Sequence, residues 1–127
     1  MAKPIIQYTL ETDVLCGRGF TLVEETLQSG FKYDGFVLYD TQASAQAELD
    51  EDIKDGMIEE DEISVIEVVV HADGSIFDSF GQELASHMAM QNNQTIEQVK
   101  AGLAQYYTEA ERRLRHAAEA VSEGPGL

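Results

Sequence analysis

The sequence has one cysteine, few basic residues and no long apolar run. The single cysteine, Cys16, excludes an internal disulfide framework and fits a reducing compartment, so we expect a cytoplasmic protein. No apolar stretch approaches the roughly 18 residues that a membrane-spanning helix needs. No charged start precedes an apolar segment, so we also expect no secretory signal.

Basic residues are outnumbered three to one, because 8 Lys and Arg oppose 24 Asp and Glu for a net charge of −16. Nucleic acid phosphates and anionic membranes would repel such a chain, so we expect neither as a direct partner. A hydrophobic content of 43% is nevertheless too high for a disordered acidic tail. The 127 residues suit one domain, which we place at residues 1–123, with a flexible tail at 124–127.

The negative charge is concentrated in the middle of the chain. Residues 41–84 hold thirteen acids and one base, a net charge of −12, whereas residues 1–40 carry −3 and residues 85–127 carry −1. Clustered like charges oppose folding, so clustering favours a cationic partner over a general need for solubility. A solvated helix face and loop is the alternative interpretation. The candidate binding residues are Glu48, Glu51, Asp52, Asp55, Glu59, Glu60, Asp61 and Glu62.

Hydrophobic patterns in the first half predict three strands and a helix. Strands are predicted at residues 5–10, 20–27 and 36–39, with glycine turns at 16–19 and 34–35. In the second of these segments, Thr21 followed by Glu24 also matches a helix capping box, so a helix is the alternative there. After Asp40 and Thr41 as a cap, apolar residues every four positions predict a helix to about Asp55, ended by Gly56.

The second half is predicted as a hairpin followed by helices. Residues 63–70 form the clearest strand pattern, the Asp73-Gly74 pair predicts a tight turn, and residues 76–80 pair back. A short helix is expected at 82–91, and Thr95 with Gln98 predicts the capping box of a long helix. The fold class is therefore α+β: a small antiparallel sheet with an inserted acidic helix and a long C-terminal amphipathic helix.

No enzymatic site emerges from the sequence, and we expect neither a cofactor nor a bound metal. An EF-hand loop beginning at Glu51 would place Ile53 at its third position, where calcium requires an oxygen ligand. The three histidines lie in different elements without zinc-site spacing. Cys16 lies near Arg18, which could favour a thiolate, but no catalytic base neighbours it in sequence.

The only basic cluster lies on the C-terminal helix and comprises Arg112, Arg113, Arg115 and His116. Glu109 precedes Arg113 by four residues, and Glu111 precedes Arg115 by four. Those spacings predict ion pairs within the helix that neutralise the cluster.

Residues 36–49 (FVLYDTQASAQAEL) resemble the strand, Asp-Thr cap and alanine-rich acidic helix of many small phage-encoded proteins, and the strand at 65–70 fits the same pattern. The order of strand, helix, hairpin and C-terminal helix is similar to that of some small acidic anti-CRISPR proteins. The resemblance implies an inhibitor of a nucleic-acid-handling host complex. It assigns no catalytic residue.

Charge and resemblance lead to one hypothesis: nucleic acid mimicry. Carboxylates four residues apart on a helix are separated by about 6 Å of rise, so the acidic helix could imitate a row of phosphates. The expected partner is a basic nucleic-acid-binding protein or complex. The alternative is a homodimeric structural or adaptor protein that assembles through a heptad-like stripe, unless the sheet buries that stripe. The stripe comprises Ile96, Val99, Leu103, Tyr106 and Ala110.

Overall fold

The computed structural model describes residues 3–14, 17–59 and 61–123. Within them the chain is α+β, with an antiparallel four-stranded sheet, a separate two-stranded hairpin and three helices. In chain order the elements are β1 (Ile5–Val14), β2 (Gly17–Phe20), β3 (Leu22–Thr26), β4 (Lys32–Phe36), α1 (Gln42–Lys54), β5 (Ile63–Val70), β6 (Ile76–Asp78), α2 (Ala85–Gln91) and α3 (Ile96–Glu123).

The main sheet has the strand order β2-β1-β5-β6, and β3 pairs with β4 in the hairpin. The central pair joins β1 to β5, with Leu10 opposite Val65 and Gln7 opposite Val68. Directly opposed residues share a sheet face, so this register sorts the side chains of both strands onto two faces.

Helix α1 covers one face of the sheet. Its buried residues Ala45 and Leu49 pack with Leu10 of β1, and Ile63 and Val65 of β5 border the same cluster. The spacing of four residues between Ala45 and Leu49 places them on one side of the helix. The sheet therefore anchors this side of α1 and leaves the other side in solvent.

The larger core lies on the opposite face of the sheet. Val68 and Val70 of β5 contact it there, together with the hairpin β3–β4 and the two C-terminal helices. Its fully buried side chains include Phe36, Val68, Val70, Ile76, Leu84, Met88 and Leu103.

Several predictions from the sequence are confirmed. Thr41 caps α1 by accepting a hydrogen bond from the Ser44 N–H at 3.1 Å. Thr95 and Gln98 form the predicted capping box, because each side chain accepts a hydrogen bond from the other's backbone N–H. Residues 20–27 contain strand β3 rather than a helix, and β5 has the predicted bounds.

Other boundaries were predicted wrongly. Residues 17–20 form strand β2 on β1, so the predicted turn there is wrong, and residues 15 and 16 lie outside the described part. Asp34 and Gly35 lie inside β4, and the turn falls instead at residues 28–30, where Gly30 has a positive φ of 85°. The predicted strand at 36–39 is divided: Phe36 ends β4, and Tyr39 forms an isolated bridge to Tyr8 of β1.

Candidate acidic binding surface

We name the exposed side of α1 that carries Glu48, Glu51, Asp52 and Asp55 the acidic face. Glu48, Glu51 and Asp55 are exposed and Asp52 is half-buried, whereas Ala45 and Leu49 on the same helix are buried. The structure thus brings the four predicted helix residues together on one surface, as their spacing predicted.

The residues after α1 extend the negative charge. Glu59, Asp61 and Glu62 are all exposed and lie between the helix and β5, whereas Glu60 lies outside the described residues. Gly56 ends the helix with a φ of 76°, the left-handed conformation that favours glycine at this position. The half-buried Ile58 anchors this loop by packing on the apolar cluster of Leu10, Ala45 and Leu49, which we name the α1 cluster.

The carboxylates of this surface carry uncompensated charge. Among the described residues, none of the four carboxylates of the acidic face, nor Glu59, Asp61 or Glu62, forms an ion pair or a side-chain hydrogen bond. Burial raises the pKa of Tyr39, and the negative charges of Glu48 and Asp52 raise it further. The acidic face therefore extends its field onto the ring that borders α1.

The predicted dimer stripe on α3 lies mostly inside the molecule. Val99, Leu103, Tyr106 and Ala110 are buried in the main core, and only Ile96 is exposed, at 43%. The chain's own core, with α2 and strand β4 of the hairpin closest to α3, therefore occupies this stripe. A second copy has no access to those four side chains in the folded monomer.

Sequence analysis missed a polar network between the two ends of the chain. Arg113 of α3 makes two hydrogen bonds to the carboxylate of Asp40, each 2.7 Å long. Gln7, fully buried in β1, donates to Asp40 at 3.0 Å and accepts a hydrogen bond from the Tyr106 hydroxyl at 2.6 Å. The bond to Arg113 lowers the pKa of Asp40, so the carboxylate stays ionised.

A cleft of about 350 Å³, which we name the tyrosine cleft, opens beside this network. It lies where the hairpin, the segment before α1, and α3 meet. Burial raises the pKa of Tyr106 to about 12, although the guanidinium of Arg113 opposes that shift. The polar lining residues are Glu25, Tyr39, Asp40, Ser44, Tyr106 and Arg113.

The ion pairs predicted for the basic cluster are partly wrong. Glu111 and Arg115 pair as expected, with the Arg115 Nε 3.1 Å from the Glu111 carboxylate. Arg113 instead pairs with Asp40, and Glu109 lies 3.5 Å from Arg112. The Glu109 carboxylate is buried and accepts no hydrogen bond within the described residues.

A second charged centre surrounds Arg18, whose guanidinium pairs with Glu11 and lies 2.8 Å from Asp78. Asp78 also accepts the backbone N–H groups of Phe80 and Gln82, each at 2.9 Å. These bonds join β2 to the turn after β6. They commit Arg18 to a structural role, and Cys16 lies outside the described residues.

Metal-binding clusters are not found among the described residues, where no three His, Cys, Asp or Glu side chains converge on one point. Ile53 at the rejected calcium position packs on the α1 cluster. The His71 ring stacks edge-on against Phe77 at a centroid distance of 5.5 Å. In the part of the chain that the structure describes, no helix has both the length and the apolar character to cross a membrane.

Comparison with protein-family models, with curated proteins and with solved structures gives no match for this chain.

Proposed function

We propose that this protein is an inhibitor that acts by binding, and that its acidic face occupies a positively charged nucleic-acid-binding surface of another protein. The supporting observation is that the four carboxylates of the acidic face have no ion-pair partner among the described residues. The buried residues on the other side of α1 fix the helix on the sheet and so keep these carboxylates in solvent. Its action requires no catalytic group and no cofactor.

The geometry of a helix suits the imitation of a phosphate backbone. Glu48 and Asp52 are four residues apart, as are Glu51 and Asp55, so each pair is separated by about 6 Å along the axis. The phosphates of one DNA strand are spaced by a comparable few ångströms, and the duplex carries one charge per about 1.7 Å. A channel lined by Lys and Arg would accept the acidic face in place of DNA or RNA.

The resemblance of residues 36–49 to small phage proteins of the anti-CRISPR type suggests the first targets to test. A CRISPR effector holds its nucleic acids in positively charged channels. A phage-encoded inhibitor in the bacterial cytoplasm would meet such a complex directly. Association would be fast and would weaken as salt screens the charges.

Two matched variants test the role of the acidic face. Glu51→Lys with Asp55→Lys alters the acidic face, and Asp34→Lys with Glu97→Lys alters exposed acids elsewhere. Each pair of substitutions changes the net charge from −16 to −12. The tagged proteins serve as baits in a bacterial lysate at about 50 mM and about 500 mM salt, with thermal melting as the folding control.

We expect the wild-type bait and the Asp34/Glu97 variant to capture the same nucleic-acid-binding proteins at low salt and to lose them at high salt. The Glu51/Asp55 variant should capture little at either salt concentration while keeping its melting temperature. Equal capture by both variants would show that net charge, rather than the acidic face, attracts the partner, and would contradict the proposal.

A further inference from the structure

Three charged residues line the tyrosine cleft: Arg113, Asp40 and Glu25. Asp40 neutralises Arg113 through two hydrogen bonds. Glu25 is exposed, and within the described residues its carboxylate forms neither an ion pair nor a hydrogen bond. Burial raises the pKa of Tyr106, Arg113 opposes that shift, and the negative charges of Asp40 and Glu25 add to it, so all three charged residues act on the cleft. Within the described residues, Glu25 is therefore the charged lining residue that lacks a charged partner.

The cleft also adjoins the acidic face. Tyr39 lines the cleft, and Glu48 and Asp52 of the acidic face act on the same tyrosine. The unpaired carboxylate of Glu25 thus lines the cleft on the hairpin side, and two carboxylates of the acidic face act on its Tyr39 wall from α1. A partner that covers the acidic face would place its own side chains at this opening.

We propose that the tyrosine cleft receives an arginine side chain of the protein that the acidic face binds. This site rests on the proposed function and adds one specific contact to it. A planar guanidinium can stack on a tyrosine ring and donate hydrogen bonds to acceptors on several walls at once. The chain's own Arg113 lies 6.0 Å from the centre of the Tyr106 ring and illustrates this mode of packing.

The available volume and acceptors agree with this ligand. A cleft of about 350 Å³ accommodates the end of an arginine side chain. Glu25 and Tyr39 line the cleft from different parts of the chain and carry side-chain oxygens, whereas both carboxylate oxygens of Asp40 are already bonded to Arg113. A phosphate or carboxylate ligand would be repelled by the unpaired Glu25 carboxylate and by the acidic face next to the cleft.

The site can be tested on the isolated protein with a small probe. The probe is the capped peptide acetyl-Gly-Arg-Gly-amide, and its citrulline counterpart serves as an uncharged control of similar shape. Binding is followed by NMR at low salt through the amide signals of Tyr39 and its neighbours. We expect the arginine peptide to bind roughly tenfold more tightly than the citrulline peptide.

Two single variants separate the cleft from the general field. Glu25→Gln should weaken the arginine peptide at least threefold, while Glu24→Gln should leave its affinity unchanged. Glu24 lies next to Glu25 on β3, is exposed, and pairs at 3.5 Å with Lys32. Equal affinity for the two peptides, or equal losses in the two variants, would overturn the proposal. Spermidine that shifts the same signals and binds more tightly than the peptide would assign the cleft to free polyamines and overturn the arginine assignment.

Failure here is distinguishable from failure of the proposed function. The Glu51/Asp55 variant removes acidic-face charge without touching the carboxylates that act on the cleft, so it should still bind the arginine peptide. If the Glu51/Asp55 variant loses the partner while the wild-type protein fails to bind the peptide, the proposed function is supported and the arginine site is contradicted. If the Glu51/Asp55 variant keeps the partner while the Glu25→Gln variant loses the peptide, the arginine site is supported and the proposed function is contradicted.

Discussion

Single residues in this protein are constrained by neighbours that are distant in sequence. Gly74 forms the turn between β5 and β6 with a φ of 89°, and a Cβ there would overlap the backbone carbonyl of Lys100 in α3. Gly30 has a similar φ of 85°, but a Cβ there would meet open space. The two glycines share a backbone conformation and differ only in crowding.

This difference makes a prediction for two matched variants. Gly30→Ala should cost about 1–2 kcal/mol of unfolding free energy through backbone strain alone. Gly74→Ala should cost about 1–3 kcal/mol more than Gly30→Ala, because α3 must move away from the turn. Urea unfolding of both variants measures the two losses. Equal losses would show that the turn does not pack against α3 as described.

The Asp40–Arg113 pair predicts a pH dependence of stability. The folded state lowers the pKa of Asp40 through its bonds to Arg113, so ionised Asp40 stabilises the fold above the unfolded value of about 3.9. That contribution is lost as the pH falls below about 4 and through the lowered pKa. We expect Asp40→Asn to be less stable than wild type at pH 6 and the gap to narrow by pH 3. A gap that stays constant in urea unfolding at both pH values would contradict this pairing.

Local sequence signals could not identify these contacts. Asp40 and Arg113 are 73 positions apart, and Gln7 and Tyr106 are 99 apart. Arg113 has a nearer acidic residue at Glu109, so helical spacing led to the wrong partner. Gly35 led to the wrong prediction of a turn. It lies within β4 under the ring of Tyr33, and a Cβ at this position would overlap that ring. The glycine therefore marks close packing rather than a turn.

At the scale of elements, helix α1 has one side that anchors it and one side that carries charge. Leu49 is buried and Ile53 is half-buried against the sheet. Leu49→Ala should destabilise the protein by about 2–5 kcal/mol, and Ile53→Ala by less, because it leaves a smaller cavity. Glu51→Ala on the exposed side should stay within about 0.5 kcal/mol of wild type. A loss at Glu51 as large as that at Leu49, measured by thermal or urea unfolding, would mean that the orientation of α1 is wrong.

The elements with strong local signals were predicted from the sequence, and those divided between two sheets were not. The caps Thr41 and Thr95 are read from neighbouring residues alone, so the starts of α1 and α3 were placed correctly. The continuous apolar pattern of β5 gave both of its ends. Residues 36–39 look like one strand, yet Phe36 pairs with Leu22 in the hairpin and Tyr39 pairs with Tyr8 of the main sheet. Only the tertiary arrangement divides them.

At the scale of the molecule, the main sheet lies between the helix that carries the acidic face and the larger apolar core. Helix α1 carries the acidic face on one side of the sheet, and the apolar stripe of α3 is buried in the core on the other side. We therefore expect the protein to sediment as a monomer at high micromolar concentration. A dimer that Ile96→Lys dissociates would show that α3 assembles through its exposed end and would restore the adaptor interpretation.

The role of the acidic face is tested most directly by competition with nucleic acid on a defined target. The measurement is displacement of labelled DNA or RNA from a captured partner, a CRISPR effector first, by wild type and by a variant with Glu48, Glu51, Asp52 and Asp55 all changed to Lys. Wild type should displace the nucleic acid, with an affinity that falls steeply as salt rises, and should not bind the labelled duplex itself. The fourfold variant should remain folded by thermal melting and displace nothing. A folded fourfold variant that displaces the nucleic acid as well as wild type does would show that the acidic face is only a solvated surface.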